Sequence, residues 1–216
     1  GRRRVRQTVA KEDRVRTGIQ ILDDRLGGGF PRPSTLLLFS EKPTEKRLFG
    51  ENFAVQGAKA GDMTVYVDFF RAPALARSEL VRFGRFPMDR LVVVDATSSQ
   101  LLTESKEPYR IRDIEDLDGI CDVIVRAIEE QRPARVVIDS MEFLADRFPK
   151  DAVLRQWRRI IEAAKRIGSV TCFLFINWTY QETELAAIRA MSDFVIEFQS
   201  SMRGGILRNS MRISQV

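Results

Sequence analysis

Six short runs of apolar residues recur along the chain, and longer segments with a helical spacing of apolar positions separate them. The runs are apolar at nearly every position, which is typical of strands that are covered on both faces of a sheet. We therefore predict an α/β fold with a central, mostly parallel β-sheet and helices on both faces. The predicted strands are residues 34–39, 63–69, 91–95, 135–139, 170–176 and 193–198. The predicted helices are residues 47–60, 73–83, 117–131 and 151–167.

Three segments refine this pattern. In residues 117–131 the apolar side chains recur at steps of three and four, so one stripe of this helix is expected to face the core. In residues 151–167 the arginines are expected to form the solvated side of the helix. Residues 205–214 alternate apolar and polar positions imperfectly, which predicts an exposed or edge strand.

The length and composition indicate one globular domain. A chain of 216 residues can bury the core of one α/β domain, and we divide it into a basic arm, residues 1–13, and a domain, residues 14–216. No apolar run approaches the roughly 20 residues of a membrane span, and no apolar segment follows the basic start. We therefore expect a cytoplasmic protein with no membrane partner.

Several classes of chemistry are disfavoured. The sequence contains no histidine, which removes the commonest metal ligand and the commonest general base. Cys121 and Cys172 lie among apolar residues, so we expect buried free thiols rather than a disulfide or a metal site. A solvated surface explains the modest net charge of +5, and a nucleic-acid partner is the less favoured alternative.

The segment 40–47 (SEKPTEKR) follows the first predicted strand, at the edge of the sheet where α/β proteins bind ligands. A phosphate-binding loop at this place reads G-x-x-x-x-G-K-[ST], and only Lys46 of that pattern is present. Ser40 and Glu45 stand at the two glycine positions, and Arg47 stands at the hydroxyl that holds magnesium. Side chains at the two glycine positions strain the loop. The Glu45 carboxylate repels phosphate, and the Arg47 guanidinium repels a metal cation. Taken alone, the segment could equally be an ordinary polar loop.

Two further segments, taken together with residues 40–47, make the pattern specific for one class of protein. The predicted strand 135–139 ends in Asp139, followed by Ser140, as in the Walker B arrangement whose carboxylate holds the magnesium of a nucleotide. The segment 17–32 (TGIQILDDRLGGGFPR) precedes the first predicted strand. With the order of the later strands, it resembles the KaiC-like and RadA-like branch of the RecA superfamily of ATPases. The resemblance extends from Arg14 to the C-terminus and implies a RecA-like P-loop NTPase fold.

The same resemblance shows which catalytic groups are replaced. In the KaiC-like branch a pair of glutamates that polarise the attacking water follows the second predicted strand, and this chain has Phe70 and Arg71 there. We therefore assign no catalytic residue and no metal site, and we expect neither ATP nor magnesium as a cofactor. Phe70 is expected to pack into the core beside Phe69.

The degenerate loop is expected to be neutralised from within the protein. We expect Lys46 to pair with Asp139 or with Glu45, which would fill the former phosphate site with no ligand. A helix that begins near Arg47 would still offer free N–H groups to a weakly bound anion.

These replacements lead to the hypothesis of a pseudo-ATPase, a non-hydrolysing KaiC-like domain that acts as a binding, assembly or regulatory module, for example in signal transduction. Because the family forms rings, the resemblance implies a homo-oligomer or a hetero-oligomer with an active relative. One alternative is a residual ATPase that binds ATP and magnesium through Lys46 and Asp139. The other is a nucleic-acid-binding, RadA-like relative that uses the basic arm and the aromatic residues Trp178 and Tyr180.

Overall fold

A computed structural model describes residues 13–176 and 181–216. Most of the basic arm, and the predicted nucleic-acid or subunit contacts Trp178 and Tyr180, lie outside the described residues. In the described part, a seven-stranded sheet forms the centre of the molecule, and its strands follow one another in the order β5-β4-β6-β7-β3-β8-β9. These strands are β3 (Ser34–Ser40), β4 (Thr64–Asp68), β5 (Leu91–Asp95), β6 (Arg135–Asp139), β7 (Val170–Phe175), β8 (Phe194–Arg203) and β9 (Ile206–Gln215).

All neighbouring strands of this sheet run parallel except β9, which pairs with β8 in the antiparallel direction at one edge. A second, small sheet joins β1 (Arg14–Val15) to β2 (Phe30–Pro31). The predicted mostly parallel sheet is confirmed, and the predicted C-terminal edge strand is present as β9.

The helices lie on both faces of the sheet. They are α1 (Gln20–Arg25), α2 (Pro43–Lys59), α3 (Pro73–Leu80), α4 (Leu117–Gln131), α5 (Glu142–Ala145), α6 (Lys150–Ile167) and α7 (Glu182–Ala190). The four predicted helices are present, but α2 begins four residues earlier than predicted, because Pro43 suits the first position of a helix. Residues 142–145, which lie outside the predicted helices, form the short helix α5, and α6 begins at Lys150, one residue earlier than predicted.

Two apolar cores hold the layers together. Helices α4 and α6 pack against each other and against one face of the sheet, where Ile124 and Trp157 are fully buried. Helix α2 covers the opposite face with Phe53. The stripe predicted on α4 is thus the buried one, and the arginines of α6 are exposed as expected. No helix of the described residues is long and apolar enough to cross a membrane.

This topology brings the ends of several strands together. Since parallel strands point the same way, the residues that follow β3, β4 and β6 meet at the carboxyl edge of the sheet. The predicted site residues of the described part lie at the ends of these three strands or in the segments that follow them.

Candidate functional site

The connection from β3 to α2 contains only Glu41 and Lys42, because β3 ends at Ser40 and α2 begins at Pro43. Ser40 is buried, and its hydroxyl donates a hydrogen bond to the carbonyl of Lys42, which tightens the turn. A loop that wraps phosphates needs several free N–H groups facing the ligand. Here that stretch of backbone is already helical, and Pro43 at its start has no N–H to offer.

Lys46 lies in the first turns of α2 and is buried, with 2% of its surface exposed. Its ammonium group forms an ion pair and a hydrogen bond with Glu142, the first residue of α5. Burial lowers the pKa of Lys46, and the Glu142 carboxylate opposes that change. The predicted pairing of Lys46 with Asp139 or Glu45 is therefore wrong. Glu45 instead accepts a hydrogen bond of 3.1 Å from the Ser200 hydroxyl on β8.

The partner of Asp139 is Arg47. The Arg47 Nε atom lies 2.9 Å from Asp139 Oδ2, and the Tyr66 hydroxyl donates to the same oxygen at 3.1 Å. Asp139 is 1% exposed at the end of β6, and burial raises its pKa to about 6, more than Arg47 lowers it. The following residue, Ser140, is also buried, and its carbonyl accepts the N–H of Phe143.

Arg71 lies at the centre of a second set of ion pairs. Its Nε atom is 2.6 Å from Asp68 Oδ2, its Nη1 atom is 2.7 Å from Glu51 Oε1, and Glu79 also contacts Nη1. Asp68 positions this arginine, since its Oδ1 atom accepts the N–H groups of Phe70 and Arg71 and so fixes the turn after β4. Asp68 and Glu51 are fully buried, so these are interior charges and not surface pairs.

Phe70 does not pack into the core, which corrects the prediction. Its side chain is 51% exposed, whereas Phe69 is 2% exposed and stacks on Phe143 with ring centroids 4.7 Å apart. Both residues lie in the bend after β4, and only the Phe69 side chain is turned into the core. The Phe70 ring contacts the edge of the Phe143 ring and the Arg47 guanidinium.

These groups form one charge cluster, which we call the site cluster. It contains four cations and five carboxylates. The cations are Lys46, Arg47, Arg71 and Arg82, and the carboxylates are Glu51, Asp68, Glu79, Asp139 and Glu142. One carboxylate is in excess when all groups are ionised. The raised pKa of Asp139 agrees with this balance, since one bound proton would make the cluster neutral.

Asp139→Asn is expected to remove a pH-dependent loss of stability. A carboxyl group whose pKa is higher in the folded protein contributes its full stability below the unfolded pKa, and loses it as the pH rises through the folded pKa. For Asp139 this window runs from about pH 4 to about pH 6, and a rise of its pKa across that window corresponds to roughly 3 kcal/mol in the free energy of unfolding. As the pH rises across this window, the free energy of unfolding of the variant should increase by this amount relative to that of the wild type.

Chemical denaturation at several pH values measures this difference in the free energy of unfolding. Asp122→Asn is the control, because the Asp122 side chain is 62% exposed. A difference between Asp139→Asn and wild type that stays constant with pH would contradict the prediction.

The fold and the site together define a RecA-superfamily domain with P-loop NTPase architecture, as the sequence resemblance implied. The family model described as the KaiC ATPase matches residues 15–216, and the chain belongs to that family. The circadian clock oscillator protein KaiC of Parathermosynechococcus lividus is 25% identical over 204 residues, covering 91% of this chain and 37% of that protein.

Other relatives are similar to this chain over most of its length. A UPF0273 protein of Thermotoga maritima is 33% identical over 162 residues, covering 72% of this chain and 65% of the relative. A UPF0273 protein of Aeropyrum pernix is 34% identical over 138 residues, covering 61% of this chain and 56% of the relative. The chain thus spans less than two thirds of the length of these relatives. The crystal structure of a KaiC-like protein from Pyrococcus horikoshii superimposes on this chain with a TM-score of 0.74 and 20% sequence identity. The match covers 95% of this chain and 89% of that chain, which shows that the two share a fold.

Proposed function

We propose that this chain is a non-hydrolysing member of the KaiC family, a pseudo-ATPase that serves as a binding, assembly or regulatory module. The observation that carries the proposal is the 2.9 Å ion pair between Arg47 and Asp139. In a P-loop NTPase, a serine or threonine at the position of Arg47 and an aspartate at the position of Asp139 hold the magnesium ion. Here a guanidinium group binds that carboxylate directly. Its positive charge repels a second cation.

Lys46 supports the same proposal. A P-loop lysine is useful because its ammonium group reaches phosphate oxygens. In this chain the ammonium is buried and already has the Glu142 carboxylate as its partner. A phosphate group would have to displace Glu142 and leave that carboxylate unpaired in the interior, which costs several kcal/mol.

The site residues therefore do not fit ATP with magnesium. Three requirements fail together: a free cation for the phosphates, a free carboxylate for the metal, and a wrapped loop of N–H groups in front of the helix. Arg71 adds a fourth departure, because a positive guanidinium stands where the family carries a glutamate that polarises water. It donates hydrogen bonds to three carboxylates, and its Nη2 atom also lies 3.8 Å from Asp139 Oδ2.

We expect no measurable ATP binding and no turnover by the wild-type protein. Isothermal titration with ATP–Mg²⁺ up to about 1 mM, where binding free energies fall to roughly −4 kcal/mol, should give no saturable heat. Phosphate release should be the same in wild type and Lys46→Ala, with the exposed Lys42→Ala as the matched control. Turnover that disappears only in Lys46→Ala would favour the alternative of a residual ATPase.

Light scattering of the same samples tests the assembly part of the proposal. An oligomer whose mass does not change on addition of ATP–Mg²⁺ supports a module that assembles independently of nucleotide. A monomer under all conditions contradicts assembly with copies of itself and leaves a different active relative as the proposed partner.

A further inference from the structure

Strands β8 and β9 continue beyond the rest of the sheet as a two-stranded ribbon. Strand β8 pairs with β3 only from Phe194 to Phe198, whereas its ladder with β9 continues to the pair Arg203 and Ile206. The ribbon, residues 199–210, therefore projects past β3 by five residue pairs, or about 17 Å at roughly 3.4 Å per residue. Residues 201–212 are all exposed.

The two faces of the ribbon have different chemistry. Residues directly opposite each other in an antiparallel pair share a face, so the register assigns every side chain. Met202 and Leu207 lie on the face of Phe198, whose ring contacts Phe49 of α2. The opposite face, which we call the polar face, carries Gln199, Ser201, Arg203, Ile206, Arg208 and Ser210, with Arg212 at its base.

Arg203 and Arg208 have no acidic neighbour on the polar face, whereas Arg212, at its base, lies directly opposite Glu197. No acidic residue follows Glu197 in the sequence. The side chains of Arg203, Arg208 and Arg212 form no ion pair or hydrogen bond with the part of the chain that the structure describes, and the Glu197 carboxylate pairs with Arg189 instead. By contrast, three exposed arginines of α6 each have a carboxylate partner: Arg155, Arg159 and Arg166. The ribbon thus concentrates cations and hydrogen-bond donors that the protein itself does not use.

We propose that the polar face binds double-stranded DNA by lying in its major groove. That groove is about 12 Å wide and accepts a two-stranded β-ribbon. The arginines would contact phosphates or guanine edges, and the amide and hydroxyl groups of Gln199, Ser201 and Ser210 would contact other base edges or sugars. This surface is distinct from the site cluster, so the proposal does not depend on the absence of ATP hydrolysis.

The arrangement favours a duplex over an anionic membrane. Membrane-binding segments place apolar side chains toward the lipid, flanked by cations. Here the cations share their face with three amide and hydroxyl side chains and with one apolar residue, Ile206, while Met202 and Leu207 point to the other side. Single-stranded nucleic acid is usually bound by stacking on aromatic side chains, and residues 199–216 contain no aromatic residue.

The test compares duplex binding by the full chain and by Arg203→Gln/Arg208→Gln. Fluorescence anisotropy with a labelled duplex of about 20 base pairs is measured between about 50 and 200 mM salt, because each phosphate contact contributes about −0.9 to the slope of log K against log salt. The double variant should bind roughly 10-fold more weakly at low salt and show a shallower slope by about 1 to 2. Its thermal unfolding should match wild type, since both side chains are exposed.

The matched control is Arg155→Gln/Arg166→Gln, which removes the same net charge from another exposed surface. If this control weakens duplex binding as much as the ribbon variant does, general charge and not the ribbon is responsible, and the proposal is overturned. Wild-type protein that binds no duplex also overturns it. So does tighter binding to a single strand of the same length or to phosphatidylserine vesicles.

Discussion

A variant with Arg47→Thr and Glu142→Gln, combined with Ser40→Gly and Glu45→Gly, is expected to bind ATP–Mg²⁺ where the wild-type protein does not. Removing Arg47 frees the Asp139 carboxylate and supplies a hydroxyl for the metal. Removing the charge of Glu142 frees the Lys46 ammonium. Two recovered charge-assisted contacts of about 1.5–3 kcal/mol each correspond to a gain in affinity of roughly 100-fold or more.

The glycine substitutions act on the backbone. The first turn of α2 occupies the place where a phosphate loop would wrap its ligand, and a glycine at position 45 lowers the helix propensity there by about 1 kcal/mol relative to alanine. Titration calorimetry of the combined variant measures the gain. The informative intermediate retains Glu142 and carries only the three loop substitutions. We expect it to bind much more weakly, since its lysine stays paired.

The control for this experiment is the combined variant with Lys46→Ala added, in which the recovered binding should disappear. Binding that survives the loss of Lys46 would mean that ATP occupies another surface, and would contradict the interpretation of the site cluster. Recovered binding without Glu142→Gln would show that the three loop residues, and not the pairing of Lys46 with Glu142, limit the wild-type protein.

Restoring hydrolysis is a different problem. Phe70→Glu changes an exposed side chain and should be tolerated. Arg71→Glu would place another carboxylate among Asp68, Glu51 and Glu79, after removing the cation that compensates them. The combined variant should therefore bind nucleotide without turnover, and simple restoration of both family glutamates is expected to unfold the domain.

Much of the fold could be predicted because burial leaves a direct mark on the sequence. The strands β3, β4 and β6 are buried at every position, and the matching runs in the sequence contain few polar residues. The helices α4 and α6 have one apolar side, and their spacing revealed it. The start of α2 was placed four residues late, although Pro43 is a residue that favours the first helical position.

The pairing inside the site could not be predicted in the same way. Lys46 and Glu142 are separated by 96 residues, and Arg47 and Asp139 by 92, so no local spacing connects them. Several carboxylates follow the strands at this edge of the sheet, and any of them could have been the partner of Lys46. Glu142 begins the short helix α5, a four-residue element whose apolar spacing is too short to reveal it in the sequence. Backbone geometry alone decides which carboxylate reaches Lys46.

Arg71→Met is expected to reduce the free energy of unfolding by about 3–5 kcal/mol, the usual cost of removing one partner from a buried ion pair. Methionine replaces most of the packing of the arginine, but Asp68 then loses its paired cation while fully buried. Glu51 keeps Arg82, and Asp139 keeps Arg47, so Asp68 should bear most of the cost. Denaturant unfolding of wild type and variant measures the difference.

Two comparisons separate charge from packing in this result. The double variant Arg71→Met/Asp68→Asn should recover part of the loss, roughly 1–2 kcal/mol, because the amide carries no charge while its oxygen can still accept the N–H groups of residues 70 and 71. Arg155→Met, which breaks an exposed pair with Asp151, should reduce the free energy of unfolding far less than Arg71→Met does, because water screens exposed charges. If Arg71→Met costs no more than Arg155→Met, the buried carboxylates do not need this cation. In that case the ion pairs around Arg71 do not stabilise the turn after β4.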